Sequence, residues 1–387
     1  MSKLEELIQE LCPNGVEYRN LEDCCTVLDR KRKPITKAAR EAGDYPYYGA
    51  NGIQDYVADY IFDGIFILVG EDGSVITPTG RPVVNWAEGK IWVNNHAHIV
   101  EEKEGVLLRF LYHFIQTVDV TAYIHGNIPK FTGGDFKAMQ VPVPPLPVQE
   151  EIVRILDSFT QLTAELTAEL TARKQQYEYY RDLLLTFGEA DATISGQTRL
   201  TELRQAVKWL TLPEISTNCD RQRKPVTKGN RESGEYPYYG ASGIVDYVSD
   251  YIFDGDYLLV SEDGANLLAR STPIAFSISG KNWVNNHAHV LKFDTYEMRK
   301  FVEIYLNSID LSKYISGGAQ PKLNQENLNK IPIPVPCFDR VKQIVDILVR
   351  FDTLCSSISD GLPAEIEARQ KQYEYYRDKL LTFKETV

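Results

Sequence analysis

The stretch EYPYYGASGIVDYVSDYIFDG at residues 235–255 restates DYPYYGANGIQDYVADYIFDG at 44–64, with 17 of 21 positions identical at an offset of 191. A chain that carries one set of strand and turn signals twice, at one spacing, must fold that module twice. The register holds well beyond this stretch. Arg32-Lys33-Pro34 matches Arg223-Lys224-Pro225, Glu71-Asp72-Gly73 matches Glu262-Asp263-Gly264, and WVNNHAH recurs at 92–98 and 283–289. Tyr123 and Tyr314 follow in Gly-containing segments, then come the proline-rich strands VPVPPLP and IPIPVP, and each unit ends in a long polar helix. A length of 387 residues suits two such domains better than one core.

Within each domain, short strands alternate with turns. DYIFDGIFILVGEDG alternates and then runs apolar before an Asp/Gly turn, IWVNNHAHIV is strand-like, and EGVLLRFLYHFIQTV places Leu107, Phe110, Leu111 and Phe114 on one helical face. The predicted fold class is therefore α+β. Two similar globular α+β domains are expected to be separated by a pair of long antiparallel coiled-coil helices, giving a pseudo-twofold internal repeat. The expected boundaries are 1–148 and 191–337 for the globular domains, 149–190 for the central helix and 338–387 for the distal one.

The helices show a three-and-four apolar seam. In the first it runs through Ile155, Phe159, Leu162, Leu166, Leu170, Tyr177, Tyr180, Leu184 and Phe187; in the second through Ile347, Phe351, Leu354, Ile358, Leu362, Ile366, Tyr373, Tyr376, Leu380 and Phe383. TAELTAEL at 163–170 duplicates a four-residue unit and inserts a stutter into the seam. The second helix has no TAEL and carries SDGLPAEIEA instead, where Gly361 and Pro363 should end one helix and start another. A continuous helix of this kind extends about 1.5 Å per residue, so it can act as a ruler between two domains on two segments of a duplex.

A net charge of −12 argues against a nucleic-acid partner until its distribution is considered. DRKRKPITKAAR at 29–40 carries six bases against one acid, and DRQRKPVTKGNR at 220–231 carries five against one, at the same place in each copy. A basic stripe of this kind is what phosphates require. The polar residues shared by the two copies are candidate DNA contacts: Arg32, Lys33, Tyr47, Tyr48, Glu71, Asp72, Asn95 and Lys130, with Arg223, Lys224, Tyr238, Tyr239, Glu262, Asp263, Asn286 and Lys322, and Gln320 beside the last of these. Lysine suits phosphates, asparagine suits adenine edges and carboxylates accept from cytosine amino groups. The PYYG tyrosines have the competing role of packing into the core. Residues 74–91 and 265–282 differ almost throughout and hold Arg81 and Arg270 out of register, either suited to guanine, so this segment is expected to separate the two half-sites.

No catalytic residues and no metal are expected. A methyltransferase would need an Asn/Asp-Pro-Pro-aromatic motif and a Gly-rich cofactor loop, and the sequence has neither. The paired histidines His96/His98 and His287/His289 read as packed or hydrogen-bonded strand residues. TGGDF at 132–136 is absent from the second copy and reads as chance. Six cysteines without CxxC spacing suggest reduced thiols, and no apolar run approaches the roughly 20 residues of a membrane span, so a cytoplasmic protein without a membrane partner is expected.

EIVRILDSFTQLTAELTAELTARKQQYEYYRD resembles the central helix of the specificity subunits of type I restriction–modification systems, and QIVDILVRFDTL with EARQKQYEYYRDKLLTF is similar to their distal helix. LCPNGVEYRNLEDC resembles the entry into the family's first target-recognition domain. The resemblance covers nearly the whole chain. It implies a non-catalytic subunit that binds double-stranded DNA at a bipartite site, docks two methylation subunits through its helices and engages restriction subunits through those. It also implies a spacer set by the TAEL copies. S-adenosylmethionine, ATP and Mg are then expected in the partners, and none in this chain. The alternatives are a stand-alone DNA-binding regulator with dimer-like internal symmetry and a carbohydrate-binding repeat protein.

Overall fold

The structure, a computed structural model, describes residues 2–73, 75–125, 129–187, 207–317, 320–357 and 361–386. The chain forms two compact units, Met1–Ala168 with Ala364–Val387, and Glu169–Pro363.

In the first unit a six-stranded sheet has the order Cys25–Val27, Ala97–Glu102, Phe62–Gly70, Val84–Val93, Ala42–Gly49, Gly52–Val57. Its centre is the apolar run foreseen in FILVG: Ile67, Leu68 and Val69 are fully buried, with Ile99 and Val100 beside them. The helix Leu108–Ile115 covers one face with Phe110, Leu111 and Ile115. The final hairpin is antiparallel, with register shifts at Ala42/Tyr45 and Tyr47/Tyr48. Gly43 permits the first, because a Cβ there would lie 2.4 Å from the Ala58 Cα.

The second unit repeats this path. Its outer hairpin, Ser233–Gly240 with Gly243–Val248, has the same two register shifts. Gly234 has the same close approach, 2.3 Å from the Ser249 Cα. The long paired strands of the first unit are broken here into Phe253–Asp254 and Tyr257–Ser261 opposite Ala275–Ile278 and Lys281–Val284, with Gly255 and Gly280 at the breaks, both at positive φ.

The central helix is one element, Leu146–Leu185, of 40 residues. Its first part belongs to the first unit and its remainder to the second, so it is shared rather than a separate domain. The first unit also takes in the distal end of the chain: Tyr18 Oη donates to Phe383 O (3.1 Å), and Val16 N–H donates to Lys384 O (2.8 Å). The distal segment is two helices, Phe338–Ser356 and Leu362–Leu380, consistent with a break at Gly361 and Pro363.

The seam differs from its expected course. In the first unit Ile152 and Leu156 are fully buried, Ile155 is half-buried, and Phe159 stacks on Tyr376 at 5.5 Å. Tyr373 and Leu380 also pack on that core. In the second unit Leu184 is buried, Tyr177 packs against the same core, and Tyr180 meets Phe351 at 5.8 Å. Leu166 and Leu170 are half-buried. Leu162, Ile347 and Leu354, expected in the seam, are instead exposed. The half-buried positions step through Phe159, Thr163, Leu166 and Leu170, so the stutter rotates Leu162 outward. Ile358 and the boundary expected at 190/191 lie outside the described residues.

Candidate nucleic-acid interface

The basic segment of the first unit has two short 3-10 turns, Asp29–Lys31 and Lys37–Ala39, and is held to the sheet by its main chain. The Tyr47 hydroxyl accepts from Ile35 N–H (3.0 Å) and donates to Ile35 O (3.2 Å), while Trp92 Nε1 donates to Lys33 O (2.6 Å). Arg40 lies over the Tyr47 ring at 4.1 Å and pairs with Asp55 at 3.2 Å. Each contact recurs in the second unit: Tyr238 with Val226 (2.9 and 3.3 Å), Trp283 with Lys224 O (2.6 Å), and Arg231 with Asp246 (3.0 Å). With its backbone fixed, the segment exposes Arg30, Lys31, Lys33 and Lys37 in one unit and Arg221, Lys224 and Lys228 in the other.

A second set of contacts anchors the start of the segment. Arg32 Nη1 donates to Glu71 (2.5 Å) and to Ala97 O (2.6 Å). His98 has one ring nitrogen 2.6 Å from Asp29 and the other 3.0 Å from Phe131 O. Asp29 also accepts from Ile99 N–H at 2.9 Å. Burial pushes the Asp29 carboxyl up, but the bonds with His98 and Ile99 and the positive charge of Arg32 outweigh it and hold it below the usual range. The second unit rebuilds the cluster with Arg223–Glu262 (2.6 Å), Arg223 to Ala288 O (2.8 Å), His289–Asp220 (2.6 Å) and His289 to Leu323 O (2.8 Å). Asp220 and Glu262 are lowered in the same way, against the effect of burial. Asp29, Glu71 and His98, like Asp220, Glu262 and His289, bring ligand-type atoms within 4.8 Å of one another. In both clusters the guanidinium already supplies the positive charge that a metal ion would bring.

This geometry sorts the predicted contacts. Tyr47 and Tyr238 are 1% exposed and bind the loop backbone, which leaves neither ring a face for a base. Tyr48 is buried and Tyr239 half-buried against Phe276. Arg32, Arg223, Glu71 and Glu262 are mostly buried ion-pair partners. Arg81 is bound by Asp378 (2.6 Å), and Arg270, at φ 51°, donates to Leu306 O (3.4 Å) and Ile309 O (2.9 Å) at the end of the helix Tyr296–Ser308. Both arginines are thus tied to their own units by these contacts. The residues left at the surface are Lys33, Lys224, Asn95, Asn286 and Gln320, with Lys130 and Lys322 half-exposed beside Glu71 and Glu262 at 3.6 and 3.2 Å. Asp72 and Asp263 pair with the exposed histidines His96 and His287.

Other exposed residues of the basic segments were not among the candidates, namely Arg30, Lys31, Lys37, Arg221 and Lys228. Arg30/Arg221 and Lys37/Lys228 recur in both copies, and their signal in the sequence is the charge of the segment itself. TGGDF has a structural role: Thr132 caps the helix Gly133–Ala138, and Phe136 stacks on His98 at 4.3 Å. None of the six cysteines forms a disulfide, and burial pushes the Cys24 and Cys25 thiols up to about 11 and about 12. Among the described residues no helix is long and apolar enough to cross a membrane.

The family model for the type I restriction modification DNA specificity domain matches residues 13–173 and 207–368. A Haemophilus influenzae chain assigned as a type I restriction enzyme specificity subunit is 34% identical over 98% of both chains. An Escherichia coli type I restriction enzyme specificity subunit is 33% identical over 72% of this chain and 71% of its own. The crystal structure of a type I restriction-modification system S subunit from M. genitalium shares the fold at a TM-score of 0.62, with 17% identity over 95% of this chain and 96% of that one. With both repeats matched and a relative aligned from end to end, the chain belongs to the type I restriction modification DNA specificity family.

Proposed function

We propose that this chain is the sequence-recognition subunit of a type I restriction–modification complex and performs no chemistry itself. Each α+β unit reads one half of a bipartite duplex site, and the long helices carry two methylation subunits, through which restriction subunits join. Adenine methylation and ATP-dependent cleavage then reside in the partners, with S-adenosylmethionine, ATP and Mg bound there, in the cytoplasm. The observation that carries this reading is the pair of basic segments, each fixed by its backbone to a sheet so that three or four cations face outward in a chain of net charge −12. Fixed cations on a rigid platform place a duplex in register through its phosphates, and base-reading groups beside them then act at defined positions.

The test is co-expression with the methylation subunits, followed by single-molecule methylation sequencing. A two-part motif with an unread spacer is expected. Deleting one of the two TAEL units at 163–170 removes about 6 Å of helix and should shorten that spacer by roughly one to two base pairs. Tight sequence-specific binding by the chain alone, with no methylation in the presence of its partners, would establish a regulator instead.

A further inference from the structure

The two outer hairpins share one framework and, from residue 42 to 58, differ at five residues: Ala42/Ser233, Asp44/Glu235, Asn51/Ser242, Gln54/Val245 and Ala58/Ser249. In each unit Gly52–Val57 or Gly243–Val248 is the edge strand of its sheet, and its outward side chains are unusually apolar. Ile53 is 48% and Tyr56 52% exposed; Ile244, Val245 and Tyr247 are 47, 56 and 50% exposed. Exposed hydrocarbon on an edge strand invites a partner. The chemistry of that partner is indicated by what flanks the strand. Arg40 and Arg231 neutralise the strand's own Asp55 and Asp246, and the basic segments they close expose Lys37 and Lys228 nearby. Asp44 and Asp59 lie at the open end of the first hairpin, away from its tip.

The register places one residue of each strand apart from the rest. Tyr47 pairs with Asp55 and Tyr48 with Ile53, so Gln54 is the unpaired residue of a bulge, and Val245 occupies the same place between Ile244 and Asp246. Bulges re-aim a side chain out of the ladder. Gln54 lies over Gly49, where a Cβ would come within 2.0 Å of its Nε2, and its Oε1 accepts from Asn94 at 3.3 Å, which fixes the amide. Among the five differences, Asp44/Glu235 and Asn51/Ser242 keep their polar character, Ala42/Ser233 and Ala58/Ser249 lie outside the edge strand, and Ser249 Oγ is engaged by Glu232 at 3.3 Å. Only Gln54/Val245 replaces an outward hydrogen-bonding group with hydrocarbon on an unchanged framework.

We infer that these hairpins enter the major groove and that Gln54 and Val245 are the residues at which the two units choose different bases. A two-stranded ribbon fits that groove; a glutamine amide matches the N6 and N7 of adenine, and an isopropyl group matches the thymine methyl. This rests on the DNA-reading function proposed above.

The test uses the assembled complex with its methylation subunits and a randomised duplex pool, with the unmodified chain alongside Gln54→Val and Val245→Gln. Gln54→Val should change preference at one position of the first half-site, on the order of 10- to 100-fold, and leave the second half-site as it was. Val245→Gln should do the converse. Variants that select the parental motif at every position overturn the assignment while leaving the function intact. A parental complex that selects no motif overturns the function, and the assignment with it.

Discussion

The basic segment with its hairpin and the stretch that follows Gly73 or Gly264 are near neighbours in the chain, yet the two copies treat them oppositely. Around residues 29–57 and 220–248 every anchoring contact is repeated, down to Tyr47 and Tyr238 spanning the N–H and C=O of one residue. Between 74–91 and 265–282 almost nothing is shared. The first unit makes a turn closed by the Ile76–Pro82 bridge and sets Trp86 and Tyr112 against Arg109 at 4.8 and 4.7 Å. The second inserts the short helix Asn266–Ala269 and joins Ser277 to Glu303 at 2.5 Å. The contacts that hold the loop to the sheet are thus repeated, and those that join sheet to helix are solved twice in different ways. Two units can therefore present the same platform to a ligand while resting on different supports.

The strongest way to break this comparison is at the anchor. Arg32 and Glu71 are only 12 and 13% exposed, as are Arg223 and Glu262 at 14 and 12%. Removing Glu71 or Glu262 leaves a nearly buried guanidinium with only Asp29 or Asp220, at 3.5 and 3.4 Å, as its charge partner and costs about 2–3 kcal/mol. Glu71→Ala and Glu262→Ala should therefore each destabilise their own unit by that amount, equally, in calorimetric unfolding. A loss confined to one unit would show that the two clusters differ in energy despite their shared geometry.

A smaller effect follows from the tyrosines. Tyr47→Phe removes the hydroxyl that serves both polar groups of Ile35 and keeps the ring, a loss of about 1–2 kcal/mol. Hydrogen exchange should quicken across 29–40 alone, and DNA affinity should fall with it; Tyr238→Phe should do the same across 220–231. Unchanged exchange would mean that the Trp92 and Trp283 bonds suffice to hold the loops.

These contacts explain how far the sequence could be read. The duplication, the two α+β units and the long helix followed from periodicity and repeat spacing, because burial imposes those patterns locally. Basic character was equally visible at 29–40. The division of labour within the segment was hidden, since Arg32 and Lys33 are adjacent and alike in composition; only the fold turns one toward Glu71 and the other to solvent. Identity between copies was read as shared ligand contact, whereas for Tyr47, Arg32 and Glu71 it reflects shared packing. The contacts of Arg81 and Arg270 were hidden for a related reason: their partners, Asp378 and the carbonyls at Leu306 and Ile309, are remote in sequence. The distinction at Leu162 and Thr163 came from a stutter whose rotation heptad counting alone does not resolve.

The mildest prediction sharpens the comparison where the copies differ in titratable groups. His113 is fully buried and bridges Asp157 (2.8 Å) and Tyr373 Oη (2.9 Å), with Arg109 and Arg377 nearby; the second unit has Ile304 and Val349 in place of His113 and Asp157. Burial lowers the His113 pKa, an effect that the bond to Asp157 offsets only in part. A histidine lowered in the folded state binds its proton more readily when unfolded, so its contribution is complete above the unfolded value near 6.5 and declines as pH falls below it. Burial raises the Asp157 carboxyl, but its bonds to His113 and Arg109 leave it below the usual range, so it loses its contribution only in stronger acid. His96 and His98 recur as His287 and His289, whereas His125 stands opposite Ser316, so a variant at His113 is needed to separate the two unmatched histidines. Between pH 7.5 and 5.5 the first unit should therefore lose roughly a few °C of unfolding midpoint relative to the second. His113→Ile, which copies the second unit, should remove that pH-dependent difference whatever it does to the absolute midpoint. A difference that persists in the variant would place the titrating group elsewhere in the first unit.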